Sequence, residues 1–209
     1  MADADSYVTL ARPVRHEIPR IKGSRFVAYA APVASRSEAL AVVEAERELH
    51  ADARHHCFAW RLGAGGRDER SNDADEPAGS AGAPILRQMQ GRELEGAVVV
   101  VTRWFGGTKL GVGGLVRAYG GAAGAALDAG ELVRRPHLAT LRLRHAYGAS
   151  GLVESLLRAH HGEALGGTYE SDVVQTVRVP LAVRDRFVEE FTDGTSGRGR
   201  VEDVVGGEG

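Results

Sequence analysis

The stretch that decides the fold is residues 97–114, which read AVVVVTRWFGGTKLGVGG. Its valine run is continuous and β-branched, and this pattern predicts a strand that is buried on both faces and therefore central in its sheet. The glycines that follow predict a turn, and the small apolar residues from about Gly114 to Ala129 predict a helix that ends at Gly130. Glu131–Val133 is expected as a closing strand.

Upstream of this stretch, short apolar patterns separated by turn residues predict further strands and helices. The predicted elements are a leading strand within Tyr7–Ile18, a strand at Ser24–Ala30, a helix at about Ser37–Leu49, a strand at His55–Leu62 and a short helix at Ala83–Gln90. In the His55–Leu62 strand, alternation places Phe58 and Trp60 on one face and Cys57 and Ala59 on the other. Gly63–Gly82 has few apolar residues, and we expect a long loop there.

Pro136 marks the expected boundary between two domains, residues 1–135 and 136–209. Beyond it the patterns predict, in order, strand, helix, strand, strand, helix and strand. These segments are Ala139–Tyr147, Ala149–His160, Gly162–Tyr169, Val173–Pro180, Ala182–Thr192 and Arg200–Val204. The βαββαβ order is that of a ferredoxin-like domain, so the sequence predicts an α+β protein whose second domain is ferredoxin-like.

Composition and charge narrow the class of protein. The chain is 43% hydrophobic and 26% charged, as in ordinary globular proteins, and its net charge of −2 excludes a uniformly basic nucleic-acid coat protein. The stretch Ile85–His145 nevertheless holds nine Arg and Lys residues against four Asp and Glu residues, a local +5. A basic patch that meets a polyanion is therefore compatible with the sequence.

The expected location is the cytoplasm. Cys57 is the only cysteine, so no intramolecular disulfide can form, as is usual in a reducing compartment. The acidic N-terminus, MADADSYVTLARP, lacks the apolar core of a signal peptide, and no apolar run reaches the ~20 residues that a membrane-spanning helix needs. We expect no membrane contact, and the sequence leaves the oligomeric state open.

The turn after the valine strand is the strongest candidate for a binding site. Glycines between a buried strand and a helix start leave backbone N–H groups unpaired at the positive end of the helix dipole. Arg103, Lys109 and Arg117 lie in or beside the turn, so phosphate is the expected ligand, and Trp104 or Phe105 offers a stacking surface for a base. The residues assigned to this site are Arg103, Trp104, Gly106, Gly107, Lys109, Gly111, Gly113 and Arg117.

A purely structural interpretation of the same turn stays open. In it, the glycines let the strand and the helix pack closely, one aromatic ring joins the core, and Arg103 pairs with an acidic neighbour. The spacing is neither that of a Walker A loop nor that of a dinucleotide fingerprint, because Val116 stands where a third glycine is required. We therefore expect neither nucleotide hydrolysis nor dinucleotide binding.

Four potential metal ligands lie close together in the sequence: His50, His55, His56 and Cys57. Strand alternation separates His56 from His55 and Cys57, and no second ligand pair follows, so we predict no metal and no cofactor. No catalytic residue is assigned, because no complete set of nucleophile, base and orienting residue can be assembled from the sequence. The alternative is a small-molecule, hydrolase-like enzyme that uses Glu76, His55 and Arg103. His55, Glu76 and Ser80 are otherwise assigned to shaping their loop, with Glu76 bonding backbone N–H groups. Convergence of the three side chains on one pocket would favour the enzyme.

These features together resemble the signature of the YigZ/IMPACT family. The resemblance rests on residues 98–119, on Ser24-Arg25-Phe26, on His50 with Ala53, on His55, Cys57 and Ala59, and on the loop EPAGSAG at 76–82. It covers about residues 20–130, and the tail is similar in pattern to the small second domain of bacterial YigZ proteins. One loop departs from the family, which has Asp-Asp-Gly-Glu-Pro where this chain has Asp-Ala-Asp-Glu-Pro at 73–77. The absence of the glycine removes easy access to positive φ at Asp75, and the absence of the second Asp weakens a metal-binding role for the loop.

The resemblance implies a fold and a function. The first domain is expected to be an α+β domain like the second domain of a small-subunit ribosomal protein, and the second to be similar to the last domain of elongation factor G. Eukaryotic IMPACT relatives regulate translation through the general-control stress kinase pathway. The expectation is therefore a non-enzymatic, translation-linked regulatory or binding protein whose partner is RNA, the ribosome or a translation-factor protein.

Overall fold

The computed structural model describes residues 5–204, which form two compact units. One comprises residues 7–135, and the other comprises 136–204 together with residues 5 and 6. Helices and strands occur in comparable amounts, which confirms the predicted α+β class. None of the helices in the described residues is both long enough and apolar enough to span a membrane.

The first unit is built on a five-stranded sheet. Its strands and those beside it are β1 (Ser6–Leu10), β2 (Val14–Ile21), β3 (Ser24–Pro32), β4 (His55–Leu62), β5 (Asp68–Asn72), β6 (Ala97–Trp104) and β7 (Leu132–Pro136). Its helices are α1 (Arg36–Leu49), α2 (Gly82–Gln90) and α3 (Val112–Ala129). The sheet order is β2-β3-β6-β4-β5 with antiparallel neighbours, while β1 and β7 pair separately. The valine strand is therefore central, as predicted.

The two faces of this sheet are covered by different helices. Cys57 and Ala59 of β4 face the core that α2 and α3 cover, which also holds Val99 and Val101 of β6. The neighbouring side chains of β4, Phe58 and Trp60, lie in the second core, under α1. The alternation predicted for β4 is confirmed, and it decides which residues can meet at the end of β6.

Two sequence predictions in this unit were wrong in part. The expected long loop at Gly63–Gly82 contains β5, whose residues pair with Phe58–Leu62 of β4. An edge strand has one free side and this one reads DERSN, so it carries no apolar alternation to reveal it. The leading strand expected within Tyr7–Ile18 is divided into β1 and β2 around Pro13, because proline cannot donate to a sheet ladder.

The second unit has the predicted ferredoxin-like arrangement. Its elements are β8 (Leu138–His145), α4 (Ser150–Ala159), β9 (Glu163–Tyr169), β10 (Val173–Pro180), α5 (Arg184–Gly194) and β11 (Arg200–Asp203). The sheet order is β11-β8-β10-β9, with antiparallel neighbours throughout. Its own core is formed where Leu141, Val177 and Phe187 pack with the apolar sides of α4 and α5.

We propose that residues 1–135 and 136–209 are domains that fold independently. Each unit has its own buried hydrophobic cluster, which is the requirement for folding alone. A fragment of residues 136–209 is expected to unfold cooperatively, with a midpoint near that of the same unit in the full chain. Calorimetry and circular dichroism of the fragment and the full chain check this. A fragment without a cooperative transition would contradict the domain assignment.

Candidate functional site

The turn between β6 and α3 is exposed along its length. Phe105 is 53% exposed and Val112 is 57% exposed. Lys109 and Arg117 are exposed as well, and neither forms an ion pair or a hydrogen bond with another residue of 5–204. The turn therefore presents apolar surface and unpaired positive charge together.

The start of α3 faces this turn without a side-chain cap. Its N-cap residue is Gly111, which has φ +72° and no side chain to accept from the first N–H groups of the helix. A Cβ built on Gly113 would lie 3.7 Å from Nη1 of Arg117, so the guanidinium is close to the first turn of α3. Uncapped N–H groups beside a cation form a local surface that suits an anion.

The glycines of the turn differ in what they do. A Cβ on Gly106 would lie 1.9 Å from the carbonyl carbon of Gly23 and 2.1 Å from the nitrogen of Ser24, so the backbone of Gly106 packs directly on the β2–β3 hairpin. Gly107 has φ +86° and Gly111 has φ +72°, and nothing lies near either Cβ position. Gly106 therefore permits close packing, whereas Gly107 and Gly111 permit left-handed backbone.

Arg103 lies beneath the turn and not on its surface. It is only 4% exposed, and its Nη1 donates to Oε1 of Glu76 at 2.5 Å, while its Nη2 donates to Oγ of Ser24 at 3.2 Å. Its guanidinium carbon lies 5.6 Å from the ring centre of Phe26 and 5.5 Å from that of Phe105. This position corrects the expectation that Arg103 contacts phosphate directly, and matches the alternative in which it pairs with an acidic neighbour.

Trp104 lies on the opposite face of the sheet from Arg103, because successive side chains of a strand alternate. Its Nε1 donates to Asp52 at 2.8 Å, and the guanidinium of Arg25 covers its ring at 4.4 Å. Trp104 therefore does not join the other residues assigned to the turn. The exposed aromatic side chain of the turn is that of Phe105.

Glu76 is the centre of a buried polar cluster under the turn. Its Oε1 accepts from Nη1 of Arg103 and, at 2.8 Å, from the hydroxyl of Tyr119, and it lies 4.0 Å from Nε2 of His55. Glu76, His55 and Arg103 thus converge, which is the arrangement that the enzymatic alternative requires. Tyr119 was not predicted from the sequence; its place four residues after the buried Leu115 of α3 is the helical spacing that puts it on this face.

The thiol of Cys57 borders the same cluster and is not a nucleophile at neutral pH. Burial raises the pKa of the Cys57 thiol to about 12, and burial likewise raises the pKa of the Tyr119 hydroxyl. Cys57 donates to the carbonyl oxygen of Asp73 at 3.0 Å, and His55 Nδ1–H donates to the carbonyl of Ala74 at 2.8 Å. Both side chains therefore hold the loop that follows β5.

Asp73, and not Glu76, shapes that loop. The carboxylate of Asp73 accepts from the backbone N–H groups of Gly79, Ala81 and Gly82 at 2.8–2.9 Å. The bonds of Glu76 run instead to side chains, since its Oε1 accepts from Arg103 and Tyr119. Ser80 is buried beneath the loop, and its hydroxyl has no partner among the described residues.

The loop has left-handed backbone at two residues, although it lacks the glycine of the family's sequence pattern. Asp75 has φ +67°, and Ala74 before it has φ +43°. Positive φ at position 75 is thus adopted by an Asp where the family pattern has Gly. Positive φ costs a residue with a Cβ about 1–2 kcal/mol, so this loop is strained.

Asp73→Asn is expected to lower the free energy of unfolding by about 1–2 kcal/mol at pH 7, since hydrogen bonds to a charged acceptor are the stronger ones. Burial acts to raise the pKa of Asp73, but three backbone N–H donors outweigh it and the pKa is lowered. The stabilisation is thus present above the unfolded pKa of about 3.9 and is lost as the pH falls through the folded pKa. Denaturation of wild type and variant at several pH values checks this. Asp75→Asn is the matched control, and an equal effect there would contradict the role of Asp73.

The remaining sequence candidates are dispersed. His55 and Cys57 lie on one face of β4, His56 lies on the other, and residues 5–204 contain no group of three or more side chains placed to hold a metal. The +5 stretch is divided between the two units, and part of its charge is paired. Arg103 is paired internally, Arg92 pairs with Asp128, and Arg142 and Arg144 belong to the second unit.

Comparison with known proteins gives consistent matches to both units. A model of the Impact N-terminal domain matches residues 22–127, and one of a domain of unknown function (DUF1949) matches residues 143–198. IMPACT family member YigZ of Escherichia coli is 36% identical over 195 residues, 92% of this chain and 95% of the relative. An IMPACT family member of Thermus thermophilus is 41% identical over 160 residues, 77% of this chain and 86% of the relative.

A eukaryotic relative and a solved structure are also similar to this chain. Protein IMPACT homolog of Saccharomyces cerevisiae is 32% identical over 93 residues, 43% of this chain and 36% of that protein. A solved structure described as that of a hypothetical protein is 34% identical, with a TM-score of 0.76 over 97% of this chain and 99% of that chain. The match thus extends through both units of the fold.

Proposed function

Because this chain belongs to the IMPACT family, we propose that it is a translation-linked binding protein that contacts RNA through the exposed turn at residues 105–113. The translation link comes from the family resemblance. The observation that carries the RNA contact is the uncapped start of α3 beside the unpaired cations of Lys109 and Arg117. The ribosome is the natural source of such RNA.

Three features of the turn support binding of a phosphate backbone. Phosphate accepts hydrogen bonds from helix-start N–H groups, and the helix dipole adds about 0.3–1 kcal/mol for a nearby anion. Lys109 and Arg117 add charge that no carboxylate among the described residues neutralises. Phe105 offers an exposed ring on which an unpaired base can stack, a contact worth about 1–3 kcal/mol. The turn therefore suits single-stranded RNA better than a duplex, whose bases are already stacked.

Replacing both Lys109 and Arg117 by alanine is expected to weaken binding of single-stranded RNA and to flatten its salt dependence. The slope of log affinity against log salt should fall by about 0.7 for each phosphate that the variant no longer neutralises. Fluorescence anisotropy with a labelled oligonucleotide across a salt series measures both quantities. Arg67→Ala is the matched control, because Arg67 is also exposed and unpaired within residues 5–204 but lies away from the turn.

The result also decides between RNA and a protein partner. Overlaid titrations of the double variant and the parent would contradict the assignment of the turn, whatever the affinity. Co-sedimentation with purified ribosomes is the second arm, and ribosome binding without RNA binding would point to a ribosomal or translation-factor protein. Absence of both, together with turnover in a hydrolase screen, would replace the proposal by the enzymatic one.

The hydrolase-like alternative is favoured by one observation, the convergence of Glu76, His55 and Arg103. Two features oppose it. The Glu76 side chain is only 5% exposed, and its Oε1 already accepts from both Arg103 and Tyr119, so this oxygen is not available to a substrate. A screen of ester, phosphoester and amide substrates with wild type and Glu76→Gln tests this alternative, which requires turnover that is abolished in the variant.

A further inference from the structure

The β2–β3 hairpin lies directly against the turn at residues 105–113. A Cβ built on Gly23 would lie 2.6 Å from the carbonyl oxygen of Gly106, and one built on Gly106 would lie 2.1 Å from the nitrogen of Ser24. The Gly106 N–H also donates to Oγ of Ser24 at 3.2 Å. The end of the hairpin and the turn are therefore held together through their backbones, and a ligand bound to the turn has the hairpin beside it.

Lys22 occupies the end of this hairpin in a backbone conformation that does not suit a lysine. Ile21 pairs with Ser24, so the loop consists of Lys22 and Gly23 alone. Both have positive φ, +47° and +83°, which is the pattern of a type I′ turn. Asn-Gly is the favoured pair there, because the short polar side chain of Asn tolerates the left-handed region and that of Lys does not. Stability alone therefore does not explain the lysine, and a function of its charge does.

The charge of Lys22 is not neutralised within the described part of the chain. Its side chain is exposed, and it forms no ion pair or hydrogen bond with another residue of 5–204. Residues 14–25 contain a single carboxylate, that of Glu17, and it accepts from Arg25 at 2.9 and 3.0 Å. The end of the hairpin thus adds a free cation to those of Lys109 and Arg117.

Phe105 lies next to the contact between the hairpin and the turn, since it immediately precedes Gly106. The buried guanidinium of Arg103 lies over its ring, 5.5 Å from the ring centre. The exposed area of Phe105 therefore belongs to the rest of the ring, which faces solvent. A base that stacks on this ring has the hairpin within reach of its own phosphates.

We propose that the end of the β2–β3 hairpin is the second part of the RNA site, and that Lys22 binds a phosphate there. The strand runs from the start of α3, across the ring of Phe105, to the hairpin. This inference rests on the function proposed for the turn, and it narrows the partner to an RNA whose unpaired stretch is long enough to reach both segments.

Lys22→Asn tests the proposal, because it removes the charge and at the same time improves the turn. Its melting temperature is expected to equal or exceed that of the parent, since Asn suits the first position of a type I′ turn. Its affinity for a labelled single-stranded octanucleotide should fall about fivefold, the factor that one charge pair at about 4 Å gives in water. The slope of log affinity against log salt should fall by about 0.7, for one phosphate no longer neutralised.

Lys22→Arg is the matched control, because it keeps both the charge and the cost of positive φ, and it should keep the slope of the parent. An unchanged slope in a folded Lys22→Asn variant would overturn the phosphate contact at the hairpin. The loss should also be smaller with a dinucleotide, which the turn alone can hold. Losses of equal size with both lengths would contradict a strand that spans the two segments.

The same salt series with Lys109 and Arg117 both replaced by alanine separates this inference from the function proposed for the turn. A reduced slope in that double variant, with the parent's slope in Lys22→Asn, would keep the turn as the RNA site and overturn the hairpin. Reduced slopes in both, which add in the triple variant, are the result expected for one strand held at both segments. A reduced slope in Lys22→Asn alone would confirm the hairpin contact and contradict the turn.

Discussion

Gly106→Ala is expected to lower the free energy of unfolding of the first unit by about 3 kcal/mol or more. The added Cβ would overlap the backbone of Gly23 and Ser24 at 1.9 and 2.1 Å, distances at which backbone must move. The Gly106 N–H also donates to Oγ of Ser24, so displacement of the turn breaks this bond as well. The same Ser24 oxygen accepts from Arg103, which couples the turn to the buried cluster beneath it.

Denaturant unfolding followed by tryptophan fluorescence measures this effect, because both tryptophans, Trp60 and Trp104, lie in the first unit. Gly121→Ala is the control. Gly121 is exposed within α3 with nothing near its Cβ position, so alanine there should stabilise by about 0.5–1 kcal/mol. Gly107→Ala should cost about 1–2 kcal/mol, from positive φ alone. If Gly106→Ala is at least as stable as Gly107→Ala, the contact between Gly106 and the β2–β3 hairpin relaxes at little cost in free energy.

Breaking the buried pair of Arg103 and Glu76 is the second change with a large expected effect. Arg103→Met leaves the Glu76 carboxylate buried without its cation, which should cost about 3–5 kcal/mol. Glu76→Gln keeps an acceptor for Tyr119 but leaves the guanidinium uncompensated. The double variant removes both charges and should cost clearly less than the sum of the two single variants, as expected for residues in direct contact.

A double-mutant cycle of denaturation free energies gives the interaction energy, and Lys109→Ala is the neutral control on the exposed side of the turn. Additive costs within about 0.5 kcal/mol would contradict a direct buried pair. The cycle also separates two roles of Arg103. If Arg103 is an internal support, its replacement should leave the salt dependence of RNA binding by the folded protein unchanged. If Arg103 is a phosphate ligand, its replacement should reduce the slope of log affinity against log salt.

Much of the fold could be predicted because its signals are local. The valine run of β6 specifies burial on both faces, and burial on both faces requires a central position in the sheet. The edge strand β5 gives no such signal, because one side of its ladder is open and its DERSN side chains are polar on both faces. Only its pairing with β4 identifies it, and pairing is a long-range property.

The candidate site was less predictable, for physical reasons that differ between residues. Gly106 and Gly107 are indistinguishable in sequence, and only the approach of the β2–β3 hairpin gives Gly106 its role. Arg103 pairs with Glu76, which lies 27 residues earlier in the chain. The same loop holds a second carboxylate, that of Asp73, and it is this one that accepts from the backbone N–H groups. The separation of Trp104 from Arg103 was readable, because strand alternation through residue 104 already puts them on opposite faces.

Because Cys57 is buried, the rate at which its thiol is alkylated reports how often the first unit opens in the unmodified protein. As the only cysteine, with a fully buried side chain and a thiol that stays protonated at neutral pH, it can react with an alkylating reagent only when the first unit opens. When closing is faster than alkylation, the labelling rate is the rate of an exposed thiol multiplied by the open fraction. Mass spectrometry of the labelled chain would therefore report the opening free energy of the unit that carries the turn, without any introduced probe and without a contribution from the second unit.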